Sequence, residues 1–269
     1  MTSRGASASG PHDGQPHGIS VLRNAVAILR TFNVDRPSMG VTEIAEQVKL
    51  HKSTVSRILA TLEADNIVEQ DPVSRRFRLG LGLIGLAGPL IADLDVRRAA
   101  STALDQTSAR TGETTALMVW NGSETVCVDQ IASPHQVKHS TPLGTRYGTI
   151  QSSSVQVFLA HMDEAQIAAL LARPSLSSPG METADIQAWQ KRLEQVRERG
   201  YAVNFGETST EEVGVSAPVY DHRGTPIAAI LTSAPRFRVS AEKLPILGRA
   251  TAEAAAQVGA RLGGAAPGA

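Results

Sequence analysis

The chain is 269 residues long, room for one large domain or two ordinary ones with separate cores. Lys plus Arg and Asp plus Glu both total 26, so there is no global basic charge, and affinity for nucleic acid would have to arise from local patches. Hydrophobic residues at 42% fit a globular protein, while no run of about eighteen apolar residues and no apolar signal core occur, so neither a membrane span nor a secretion signal is expected.

Residues 1–18, "MTSRGASASGPHDGQPHG", read as a disordered tail. Three helical patterns follow it. In "SVLRNAVAILRTF", Leu22, Ala25, Val26, Leu29 and Phe32 keep the spacing of one buried face, and a loop with Pro37 and Gly40 ends the helix. "VTEIAEQV" then starts with Thr42 as its expected N-cap and buries Ile44, Ala45 and Val48, the small Ala45 letting another helix come close. After a short turn at Leu50, "KSTVSRILATLEADN" points Val55, Ile58, Leu59 and Leu62 inward, which leaves Lys52, Ser53, Thr54, Ser56, Arg57 and Thr61 outside. No acid stands on that outer side before Glu63.

A short helix, a tight turn and a longer helix with a small-polar and basic outer side form the pattern of a helix-turn-helix, whose second helix enters the major groove of double-stranded DNA. Arg57 can offer two donors to guanine O6 and N7, the hydroxyls of Ser53, Thr54 and Ser56 can bond phosphates or base edges, and Lys52 adds to the helix dipole's pull on phosphate. Thr42, on the preceding helix, is counted with them. An ordinary solvated helix would look similar, but the next segment favours DNA. "IVEQDPVSRRFRLG" reads as a β-hairpin with turn chemistry at "DPVS", and Arg75, Arg76 and Arg78 make it a wing that lays cations along phosphates.

"LGLGLIGLAG", residues 79–88, contains G-x-G-x-x-G, the spelling of a dinucleotide-binding turn. Its surroundings are wrong for that. Three arginines precede it where a buried parallel strand should be, Pro89 interrupts the phosphate-binding helix, and no second strand lies in range. Leu81, Leu83, Ile84 and Leu86 instead make an apolar connector.

The run "LRNAVAILRTF…VTEIAEQVKLHKSTVSRILATLEADNIVEQDPVSRRFRLG" resembles the DNA-binding domain of the IclR-type bacterial transcriptional regulators, most specifically at "KSTVSRIL", "LE" and "FRLG". The resemblance covers roughly residues 19 to 262. It implies a winged helix-turn-helix domain over 19–80, a linker helix over 81–94 that holds a homodimer together, and a GAF or profilin-like α+β effector-binding domain over 95–264.

The residues of the second half agree with an α+β class. Asp95 can cap a helix running to Arg110, stopped by Gly112. Strand patterns follow in "TTALMVW", "ETVCVDQIA" and the polar alternation "HQVKHS"; Cys127, the only cysteine, is a small buried hydrophobe there, forms no intramolecular disulfide and fits the reducing cytoplasm. Helices are expected in "SSVQVFLAH", "DEAQIAALLA" and "TADIQAWQKRLEQVRERG", the last two separated by the loop "RPSLSSPG". Strands "YAVNFG", "EEVGVSAPVYD" and "PIAAILTSA" and a terminal helix complete an antiparallel sheet with helices outside.

An anion site is expected where Ser152, Ser153 and Ser154 open a helix, because free N–H groups and the dipole suit a carboxylate; plain N-capping is the alternative. In the resemblance this is the effector loop, with Ile150 in place of the family's histidine, Ser152 keeping its hydroxyl, Ser153 and Ser154 at the small positions, and Val155 and Gln156 replacing Gly-Lys. The family's acidic, cysteine and two serine pocket positions fall on Asn204, Gly214, Leu231 and Ser233. These departures imply a roomier, more apolar pocket for an aromatic or longer-chain carboxylate, with Tyr147 and His139 near its mouth and no cofactor.

Two further signals are weak. His135 and His139 are four apart, but Pro134 and the alternation place them on extended chain, about 13 Å apart, too far to share a metal. "GVSAP" lacks the final glycine of a nucleophile elbow. The expected protein is a homodimeric, cytoplasmic, effector-responsive repressor of a catabolic operon that reads a palindromic operator, with pairing of dimers left open. Its competitors are an enzyme acting on a small acyl or keto acid and a DNA binder without a ligand.

Overall fold

A computed structural model describes residues 17–93, 95–171 and 183–264. The chain divides into two compact units, the first ending at Asp93. The tail through residue 16 and the "RPSLSSPG" loop lie outside the described residues.

In the first unit, α1 (His17–Leu29), α2 (Val41–Val48) and α3 (Lys52–Ala64) pack around Ile28, Ile44, Val55 and Leu59, joined by Val68 and Phe77 from a three-stranded antiparallel sheet. The sheet order is β1 (Ser38–Met39), β3 (Phe77–Leu79), β2 (Val68–Gln70), and β1 is a strand where the sequence suggested only loop. α1 begins two residues inside the expected tail.

Its buried row is also corrected: Leu22 and Val26 are 71% and 47% exposed, while Ala25, Ile28, Leu29 and Phe32 face the core. Both rows satisfy helical spacing, and only packing against α2 and α3 chooses between them.

Thr42 is not the cap of α2. Gly40 takes the extended N-cap conformation, and its N–H donates to Glu43 Oε2 at 2.7 Å. α2 ends with Lys49 in the left-handed region, Leu50 N–H donating to Ala45 O at 3.0 Å, so the chain turns tightly into α3.

The glycine-rich connector becomes α4 (Gly82–Asp93). A β-carbon on Gly80 would stand 2.2 Å from the Asn66 carbonyl oxygen, and one on Gly82 would stand 2.7 Å from it. Asn66 itself sits at φ 57, and its carbonyl accepts from Gly82 N–H at 2.9 Å. The first two glycines therefore let the start of the connector lie against the α3–β2 turn, whereas Gly85 faces open space. Gly80→Ala is expected to destabilise the first unit by about 1–3 kcal/mol, read as a lower denaturant midpoint for that unit, with Gly85→Ala as the neutral control. Equal midpoints for the two variants would contradict this.

In the second unit, α5 (Asp95–Thr111) leads into a six-stranded antiparallel sheet. Its strands are β4 (Thr114–Trp120), β5 (Thr125–Ile131), β6 (Arg146–Tyr147), β7 (Ala202–Phe205), β8 (Glu212–Tyr220) and β9 (Pro226–Pro235), in the order β6-β5-β4-β9-β8-β7. α5 and the terminal α9 (Lys243–Arg261) cover one side, burying Leu104 and Val258 against Leu117, Val219 and Ile230. α6 (Ser153–Leu159), α7 (Glu164–Leu171) and α8 (Thr183–Arg199) cover the other, with Phe158, Leu159, Leu170 and Leu193 against Met118, Cys127 and Leu231.

"HQVKHS" is not a strand, and β6 takes the sheet edge instead. Side chains hold that segment as a loop: Ser133 Oγ donates to Gly112 O at 2.7 Å and Thr114 Oγ1 to His139 O at 2.5 Å. Pro134 removes one ladder donor.

Candidate functional site

In the first unit, α3 buries Val55, Ile58 and Leu59 on one side and exposes Lys52, Ser53, Ser56 and Arg57 on the other, with Thr54 half-buried between them. Thr61 also lies outside, and its hydroxyl donates back to Arg57 O at 3.1 Å. No carboxylate lies within ion-pair distance of Lys52 or Arg57 among the described residues, so both cations are open to an external anion. Thr42 is exposed on α2.

The wing turn is built by Asp71. Its carboxylate accepts from Ser74 N–H at 2.6 Å and from Val73 N–H at 3.1 Å, and the Ser74 contact chiefly holds it below the ordinary aspartate range.

The expectation of three free wing arginines is corrected. Arg76 pairs with Glu43 at 2.8 Å and donates to Ser38 O at 2.8 Å, and Arg78 pairs with Glu69 at 3.1 Å. Glu43 is held below its usual range by the Gly40 N–H first and Arg76 after it. Arg76 thus ties the wing to α2, and Arg75, exposed at φ 58, is the wing arginine without a carboxylate partner among the described residues.

In the second unit, strand register gathers most of the expected pocket positions. Asn204, Gly214 and Ser233 are paired in one row across β7, β8 and β9. Leu231 and Ser216 form the next row on the same side. A β-carbon on Gly214 would meet Ser153 Oγ at 3.1 Å, Leu231 at 3.5 Å and Asn204 at 3.9 Å, so these four residues converge on one point.

The serines are less available than their position suggested. Ser153 Oγ bonds Ser216 Oγ at 2.8 Å, Ser154 Oγ bonds Thr125 Oγ1 at 2.7 Å, and Ser152 Oγ bonds Ser154 Oγ at 3.0 Å. All three are buried, Ser152 as the N-cap and Ser153 and Ser154 as the first residues of a helix of only seven. Asn204 is likewise committed, its Oδ1 accepting from Glu207 N–H at 2.9 Å and its Nδ2 donating to Thr208 Oγ1.

A second cluster adjoins this point. Ser233 and Thr141 hydroxyls lie 3.5 Å apart. Tyr147 bonds Thr141, and burial, reinforced by the charge of Glu212, pushes its phenol up to about 12. Glu212 is a buried carboxylate 3.2 Å from His139 Nε2; burial raises its pKa and His139 opposes the rise. The Cys127 thiol, also pushed up to about 12 by burial, donates to Thr141 O at 3.0 Å and is no nucleophile.

Glu212, Thr141, Thr125 and Ser216 were not among the expected residues. Glu212 was within reach of the strand period, two positions before Gly214 and therefore on the same side of β8. A cleft of about 850 Å³ opens beside this cluster, lined by His139, Lys138, Phe205, Pro235, Arg236 and Phe237 among others. Among the described residues, no group of three or more His, Cys, Asp or Glu side chains is placed to hold a metal ion.

A winged helix-turn-helix unit and an α+β unit with a polar pocket together have the architecture of a bacterial transcriptional regulator that answers to small molecules. The chain belongs to the IclR family of these regulators: the family model described as bacterial transcriptional regulator IclR C-terminal matches residues 89–260, and that of the IclR helix-turn-helix domain matches residues 21–72.

It is similar to the transcriptional regulator XynR of Escherichia coli K12, 30% identical over 84% of this chain and 90% of that protein. It is also similar to the repressor AllR of the same strain, 27% identical with 91% of each covered. An IclR homologue from Microbacterium hydrocarbonoxydans, solved in complex with 4-hydroxybenzoate, superposes with a TM-score of 0.73 at 26% identity, over 90% of this chain and 98% of that one. Family and relatives are regulators, not enzymes. Among the described residues no helix is long and apolar enough to cross a membrane.

Proposed function

We propose that the protein is a homodimeric cytoplasmic repressor of a catabolic operon, released or engaged by a small organic carboxylate with an aromatic or longer apolar body. The observation that carries the DNA half is the exposed side of α3, where Lys52 and Arg57 stand beside hydroxyls with no acid paired to them among the described residues. Two copies would present two such helices to half-sites about 34–36 Å apart on a palindromic operator. The repressor name of AllR supports the sign of the response, and the 4-hydroxybenzoate complex of the Microbacterium homologue supports an aromatic acid as effector.

The test is a thermal-shift screen of the full chain against benzoates and short keto acids, followed by gel shifts on the promoter beside its gene with each hit. An effector at a hundred times its Kd should stabilise the protein by about 2.7 kcal/mol through mass action. Preference for the short keto acids would overturn the aromatic or long-chain reading.

Within the wing, Arg75→Ala should weaken binding evenly across DNA sequences and flatten the salt dependence by about one unit of slope. Arg78→Ala should change that slope less, because Glu69 already neutralises Arg78. Equal slopes for the two variants in filter-binding titrations would count against this assignment.

A further inference from the structure

Val68 and Phe77 root the wing in the core of the first unit, and the turn beyond them, from Asp71 to Arg75, is exposed. That turn is closed on itself: Asp71 N–H donates to Arg76 O at 2.8 Å, Arg75 N–H to Asp71 O at 2.9 Å, and Gln70 Nε2 to Arg75 O at 2.9 Å. The strands that carry it, β2 and β3, have three residues each, too short a ladder to fix its direction alone. On the β3 side the turn is fastened by the Arg76 guanidinium. Nη2 lies 2.8 Å from Glu43 Oε2 and donates to Ser38 O at 2.8 Å, Nη1 donates to Glu43 Oε1 at 3.4 Å, and Nε donates to Ser38 Oγ at 3.3 Å. Every nitrogen of this side chain is therefore committed within the protein, to β1 and to the first turn of α2.

We propose that Arg76 and Glu43 are positioning residues for DNA binding: their clamp aims the wing turn so that Arg75 meets a phosphate, and neither touches DNA. Arg75 is the next residue in the chain, exposed and without a carboxylate partner among the described residues, so its placement follows the backbone that Arg76 holds. Glu43 stands beside the exposed Thr42 at the start of α2. By charge alone an acid there opposes phosphate, and its removal would favour binding. As half of the clamp, its removal weakens binding instead. This assignment rests on Arg75 as a phosphate contact, given above, and adds to it the residues that place that cation.

Salt titrations of the full chain on a duplex of unrelated sequence test it, because each phosphate contact contributes about 0.9 to the slope of log K against log salt whatever the bases. Arg75→Ala, Arg76→Met and the double variant should each lose about one unit of slope, the double variant no more than the singles, because the same contact is missing in all three. Arg76→Lys should bind like Arg76→Met, since an ammonium keeps the charge but cannot fork between Ser38 and Glu43. Glu43→Gln still accepts from the Gly40 N–H and so keeps the helix cap, yet should bind DNA about twofold to fivefold more weakly than the unaltered protein. Unfolding curves confirm that each variant is folded, and Arg76→Lys and Glu43→Gln decide the matter if Arg76→Met does not fold.

A double variant that loses about two units of slope, or an Arg76→Lys that binds like the unaltered protein, would make Arg76 a phosphate contact and overturn its positioning role. Tighter binding by Glu43→Gln would overturn the clamp. A lost unit in Arg75→Ala beside an unchanged Arg76→Met would overturn the clamp and leave Arg75 on its phosphate. An unchanged slope in Arg75→Ala would overturn the phosphate contact of Arg75, and with it the cation that the clamp is proposed to place.

Discussion

Arg238→Met is expected to destabilise the second unit by about 3–5 kcal/mol, the usual cost of stranding one member of a buried ion pair. Glu113 is 1% exposed and receives both Arg238 Nε and Nη2 at 2.8 Å, with Lys243 Nζ more distant at 3.4 Å. Removing the guanidinium leaves a buried carboxylate with one poorer partner, so Lys243 can recover only part of the loss. Arg238 Nη1 also donates to Val137 O at 2.9 Å, so the variant should loosen the loop that carries His139 as well. Urea unfolding of the single variants and of Arg238→Met/Glu113→Gln would measure this, with the double variant expected to regain part of the stability. A loss below about 1 kcal/mol for Arg238→Met would show that Glu113 is neutralised some other way.

For DNA recognition the largest effect is expected at Arg57. Arg57→Ala should cost about 1–3 kcal/mol at each half-site, a loss of about 5- to 150-fold, and should relax selectivity at one base position. The physical ground is an exposed guanidinium on the outer side of α3 with no carboxylate paired to it among the described residues. The pattern of loss distinguishes it from Arg75→Ala, which should weaken all sequences alike. Binding to an operator-variant library would read both, and unaltered selectivity for Arg57→Ala would mean that another side chain reads the groove.

The legible parts were those governed by local periodicity. The inward set Val55, Ile58 and Leu59 follows from helical spacing, and its complement is the exposed basic side of α3. Gly214 and Leu231 came forward through the family resemblance rather than periodicity, and a β-carbon on Gly214 would reach both Leu231 and Ser153. Where two registers satisfied the same period, as in α1, the pattern could not choose, and Leu22 and Val26 were assigned inward when they are exposed. The "HQVKHS" strand failed for a related reason: the alternation is there, but side chains from outside the segment fix the chain as a loop, Ser133 Oγ bonding Gly112 O and Thr114 Oγ1 bonding the His139 carbonyl.

From its sequence alone, this protein's elements, their order, the antiparallel α+β character of its second half and the acid-free side of α3 could be derived, because these depend on neighbours within a turn or a strand. Its charge partners came only from the tertiary structure. Arg76 is spent on Glu43, 33 residues away, and Glu113 is held by Arg238, 125 residues away. Whether a charge is free for a ligand depends on which opposite charge the fold brings beside it, and no local pattern carries that distance.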